Sequence, residues 1–87
     1  MRAMYNTGTV IRGKTLGERL KEARKRKGWS RFRLSLETRI QELSIYRYES
    51  GKGNPSLPTL MRLAKALDVS IDELLGLKME RGDAEQA

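Results

Sequence analysis

Apolar residues fall along this chain in short runs of helical spacing, separated by turn chemistry. Leu16, Leu20 and Ala23 recur at the three- and four-residue intervals of one helix face. "TLGE" at 15–18 precedes them and forms a capping box, in which the Thr15 hydroxyl accepts the third amide and Glu18 reaches back. "RKRK" at 24–27 supplies cations to the carbonyl end of that helix, and Gly28 is a natural stop. Ser30 is placed to cap a second helix over 31–37, with Leu34 inward. A turn at Thr38-Arg39-Ile40 leads to a third helix over 41–49, and "SGKGNPS" at 50–56 is loop chemistry. Ser56 caps a fourth helix over 57–67, where Pro58 sits in the tolerant first turn. Leu60, Leu63, Ala64 and Leu67 form its apolar stripe. "SIDE" at 70–73 is a second capping box that opens a short fifth helix holding Ile71, Leu74 and Leu75, ended by Gly76.

The pattern predicts an all-α fold, a compact five-helix domain over 15–76 with Trp29 filling the junction between the first two helices. Residues 1–14 read as an N-terminal arm, in which "TVI" at 9–11 is either a short strand or unstructured. Residues 77–87 are polar and read as a flexible tail.

The third helix carries two competing apolar faces. Ile45 and Tyr48 share one side, which Ile40 in the turn can join, while Leu43, Tyr46 and Arg47 share another. So small a domain cannot bury both, and Arg47 marks the second as the outward one. An exposed face of Leu, Tyr and Arg with Glu42 and Ser44 has the chemistry of a base-reading surface. Arg pairs with guanine edges, Leu meets a thymine methyl, and Tyr or Ser bonds phosphate or base.

Composition narrows the classes. The 87 residues contain no Cys and no His. This excludes disulfides and argues strongly against zinc sites and Ser–His or Cys–His nucleophilic chemistry. "GKGNPS" at 51–56 lacks the spacing of a P-loop and precedes a helix as an ordinary cap. No carboxylate pair stands out, so no enzyme and no cofactor are expected. No apolar run approaches the roughly 20 residues that span a bilayer, and the N-terminus lacks a signal-peptide core. A soluble, cytoplasmic protein is expected.

Charge adds a partner. The net charge is +7, and it is unevenly spread. Residues 1–27 hold nine Lys/Arg against Glu18 and Glu22, whereas residues 52–87 hold five basic groups against six acidic ones. Such asymmetry points to a polyanion. A membrane-surface role is disfavoured, because the aliphatic residues of the first helix are needed for its own core.

Residues 16–75 resemble the lambda-repressor-like helix-turn-helix family, also called Cro-like or XRE. The resemblance rests on "LGERLKEARKRKGWS", on Leu34, Ser35, Ile40 and Ile45, and on "YESGKGNPSLPTLMRLAKALDVSIDELL". It implies a sequence-specific, double-stranded DNA-binding transcriptional regulator, a repressor acting as a nucleoid-associated homodimer, with helix 41–49 in the major groove. By position, Glu42, Leu43, Tyr46 and Arg47 would face bases. Arg31, Gln41, Ser44, Ser50 and Lys52 would meet the DNA backbone, and Arg24 with Glu49 would form an internal ion pair fixing the recognition helix. The dimer surface would involve Ile71, Leu74, Leu75, Leu77 and Met79, with the domain's own core the favoured place for Leu74 and Leu75.

Two departures matter. Arg39 stands where the family has Gly, so a left-handed turn there would be strained. Phe32 and Leu36 occupy a side of the second helix that is normally polar. They would be covered by Met4, Tyr5, Val10 and Ile11, or serve a protein partner. Arg2, Arg12 and Lys14 could follow the DNA backbone or minor groove. The rival function is an antitoxin-type interaction module that binds a partner protein and its own promoter.

Overall fold

Five helices, α1 (Leu16–Arg26), α2 (Arg31–Thr38), α3 (Glu42–Glu49), α4 (Leu57–Leu67) and α5 (Ile71–Leu75), make up the computed structural model, which describes residues 14–77. The expectations for the arm before Lys14, for the cover over Phe32 and Leu36, and for Met79 lie outside the described residues.

Local chemistry sets the ends of the helices as the sequence predicts. Both capping boxes form: Thr15 with Glu18, and Ser70 with Glu73. Ser30 and Ser56 accept the Arg33 and Thr59 amides. Two boundaries differ by a residue. The second helix extends through Thr38, whose hydroxyl donates to the Leu34 carbonyl at 2.7 Å and accepts the Ile40 amide at 3.2 Å. The third begins at Glu42, with Gln41 as an N-cap whose side chain makes no capping bond. Lys14 donates to Glu22 at 2.7 Å, and this hydrogen bond is the main reason the Glu22 carboxyl lies below its usual range. The pair is exposed, so its small stabilising effect is present at neutral pH and lost as pH falls through the lowered value.

The core gathers Leu20 and Ala23 from α1, Leu34 from α2, Ile40 from the turn, and Ile45 from α3. Leu60, Leu63, Ala64 and Leu67 from α4 and Leu74 from α5 complete it. Trp29 and Tyr48 pack against its edge, half-buried. The Trp29 ring also lies under Lys27 and Arg33, at 4.9 and 4.6 Å from its centroid. The core reading of α5 holds for Leu74 and not for Leu75. Leu74 is buried and serves the domain's own core, whereas Leu75 and Leu77 are exposed. The 100° step from Leu74 to Leu75 carries the second side chain out of this narrow contact and into solvent.

The α2–α3 turn takes the left-handed form the sequence placed in question. Arg39 has φ 63° and ψ 29°, and its amide bonds the Ser35 carbonyl at 2.8 Å. A non-glycine residue is strained there. From α4, Arg62 reaches across and donates to the Thr38 carbonyl at 2.7 Å, with a weaker contact to the Arg39 carbonyl at 3.4 Å. A cation thus meets the negative end of α2 and braces the turn, a role that no local pattern around Arg62 announces. Arg39→Gly is expected to raise stability by about 0.5–1 kcal/mol in urea melts. A clear loss would show that the left-handed arginine carries no strain.

Candidate nucleic-acid interface

Helix α3 is amphipathic in a specific sense: one side enters the core and the opposite side stands free. Ile45 is fully buried, while Leu43 is 61% and Tyr46 43% exposed, with Glu42 and Arg47 exposed beside them. The four expected base-facing residues therefore share one open surface. Gln41 and Lys52 flank it, both exposed, and Ser44 is half-buried.

The C-terminal end of α3 is closed by a left-handed glycine. Gly51 has φ 77°, and the Lys52 amide bonds the Arg47 carbonyl at 2.9 Å, the bond that ends a helix at a left-handed glycine. Ser50 lies at this end. Its hydroxyl donates to the Tyr46 carbonyl at 2.7 Å, so its proton is already engaged within the helix. A phosphate contact from this hydroxyl would have to displace that bond.

Behind the open face lies the ion pair expected between the first and third helices. Arg24 holds Glu49 with two bonds, Nε to Oε2 at 2.7 Å and Nη2 to Oε1 at 3.0 Å. Its remaining Nη1 donates to the Trp29 carbonyl at 2.8 Å. The side chains are 8% and 2% exposed. A two-point bond between planar groups fixes orientation as well as distance, so α3 is locked to α1 in rotation.

The pair is in fact a triad. Arg31 Nε donates to Glu49 Oε1 at 3.1 Å, and its guanidinium carbon lies 5.2 Å from the Tyr46 ring centroid. The sequence assigned Arg31 to DNA phosphate and left Glu49 with one partner. One signal pointed to the second partner. Arg31 is the first residue of α2, where the helix dipole opposes a cation, and a nearby carboxylate offsets that cost. Arg31 keeps 34% of its side chain exposed, so its terminal nitrogens stay at the edge of the open face.

Two short helices joined by a tight turn, the second presenting an exposed polar-aromatic face and anchored from behind, define a helix-turn-helix domain. The sequence model of the helix-turn-helix family matches residues 20–74, and the chain belongs to that family, in its lambda-repressor-like (XRE, Cro-like) form. It is 41% identical over 59 residues to the cryptic phage CTXphi transcriptional repressor RstR of Vibrio cholerae, covering 68% of this chain and 53% of that protein. The fold is similar to the restriction-modification controller protein C.AhdI from Aeromonas hydrophila, with TM-score 0.67 and 35% identity over 69% of this chain and 91% of that one. It is also similar to the P22 c2 repressor, solved in complex with a synthetic operator, with TM-score 0.71 and 27% identity over 76% of this chain and all of that one. The chain spans about half the length of the curated relatives it matches. Among the described residues, no helix is long and apolar enough to cross a membrane.

Proposed function

We propose that the chain is a sequence-specific, double-stranded DNA-binding transcriptional regulator of the repressor type, working in the cytoplasm with α3 in the major groove. The observation that carries this reading is the open Glu42–Leu43–Tyr46–Arg47 face, held at a fixed rotation by the buried Arg24–Glu49 bond. The relatives are transcriptional regulators and repressors, which favours this reading over the antitoxin-type module and over any enzyme. Glu42, Leu43, Tyr46 and Arg47 read base edges, and Gln41, Ser44, Ser50, Lys52 and the outer nitrogens of Arg31 meet the backbone. One such helix reads few base pairs, so the working form is a homodimer on a two-fold site with half-sites about one turn apart. Leu75 and Leu77, exposed beside the half-buried Ile71, are the apolar residues of α5 and its end available to such a dimer. Phe32 and Leu36, exposed on α2, are the residues through which that helix would meet a protein partner.

Selection from random duplexes is expected to recover two-fold-symmetric sequences whose binding weakens steeply with salt. Arg47→Ala should remove roughly 1–3 kcal/mol of discrimination between the selected site and random DNA, whereas Lys52→Ala should weaken both alike. Equal losses for Arg47→Ala would remove it from the base-reading set. A chain indifferent to every duplex at low ionic strength would end the proposal.

A further inference from the structure

We infer that Arg31 is a positioning residue for Tyr46, so that selectivity read by α3 depends on a side chain of α2. The inference rests on the DNA-binding reading above. Tyr46 stands on the open face with 43% of its surface exposed, and among the described hydrogen bonds none is made by its hydroxyl. A ring placed so freely would otherwise exchange among staggered rotamers. Arg31 supplies the missing constraint. Its guanidinium is pinned by Glu49 at 3.1 Å and lies 5.2 Å from the Tyr46 centroid. Tyr46 and Glu49 are three residues apart, on neighbouring positions of α3, so one planar cation spans a helical turn and touches both.

The order of burial gives the device its direction. Glu49 and Arg24 are almost fully enclosed, Arg31 is partly exposed, and Tyr46 is open. Rigidity passes outward along this series from the core to the ring. A ring already fixed in its bound orientation loses less freedom on binding. The outer nitrogens of Arg31 are also the ones placed to meet a phosphate, so a backbone contact and the Tyr46 base contact share one side chain. A neutral glutamine in place of Arg31 would offer the phosphate contact without the cation beside the ring.

Arg31→Lys separates the two roles, because it keeps the charge and removes the planar fork. Affinity for random duplex is expected to fall about twofold, through the altered backbone contact, with the salt slope kept because the charge is kept. Affinity for the selected site should fall roughly three- to tenfold. In a Tyr46→Leu background the same substitution should cost nothing further, since the ring it positions is gone. In the free protein the Tyr46 ring resonances should shift on Arg31→Lys while those of Tyr48 hold. Arg31→Gln should lower binding to both classes of duplex, reduce the salt slope by about one, and still lose selectivity. The inference is overturned by unmoved Tyr46 resonances, by equal losses on selected and random DNA for Arg31→Lys, or by additive losses in the double variant. In those cases α3 still reads DNA without Arg31's help. A wild-type chain that selects no duplex overturns the DNA reading itself, and this assignment with it.

Discussion

Glu49→Gln is expected to destabilise the domain by about 3 kcal/mol, because it leaves the Arg24 guanidinium enclosed without its counter-charge. Arg24 is 8% exposed and cannot turn outward without surrendering its bond to the Trp29 carbonyl. Glutamine keeps the shape and one acceptor, which holds the loss to the lower end of the range for breaking a buried pair. A domain of this size has only about 5–10 kcal/mol to lose. The melting temperature should fall by more than about 12 °C, and DNA affinity should fall with it as α3 loosens. An unchanged melting temperature and unchanged affinity would show that the triad fixes nothing. A paired Arg24→Met, Glu49→Leu replacement sharpens the result. Apolar side chains of similar size can match a buried ion pair in stability, but they leave Arg31 with no anion. Restored stability with impaired selectivity is the expected outcome.

The second large effect runs against helix propensity. Gly17 is the second residue of α1, where alanine is favoured over glycine by at most about 1 kcal/mol. Propensity alone therefore makes Gly17→Ala stabilising. The structure reverses the sign. A β-carbon on Gly17 would run into the Tyr48 carbonyl oxygen and come within 2.7 Å of the Glu49 carbonyl oxygen. Both atoms are backbone at the end of α3, so relief requires the helices to separate. A net loss of about 2–3 kcal/mol is expected from denaturant melts. Any separation also pulls on the Glu49 carboxylate, so selective DNA binding should weaken together with stability. A stabilised Gly17→Ala variant would mean that α1 and α3 do not approach as closely as described.

These two sites mark where reading along the chain stops. Helix existence, order and ends were legible because their causes are local. A threonine or serine three residues before a glutamate closes its own capping box, and apolar spacing of three and four defines a face wherever the helix is placed. The outward turn of the Leu43–Tyr46–Arg47 face was legible for a similar reason, since Ile45 supplies a better inward side on the same helix. The Arg24–Glu49 pair was reached only through family resemblance, because 25 residues separate the partners and nothing local joins them.

What tertiary structure alone decided were contacts between elements distant in sequence. It gave Glu49 a second arginine and made Arg31 a neighbour of Tyr46. It brought Arg62 onto the carbonyls of the α2–α3 turn, and it divided Leu74 from Leu75 between core and surface. It also turned Gly17 from a weak point in α1 into the place where α3 fits. In each case the deciding quantity is a distance across the packed interior, set by every helix at once. The sequence by itself determined which five helices form and which side of the third one is free. Only their packing determined what holds that side in place.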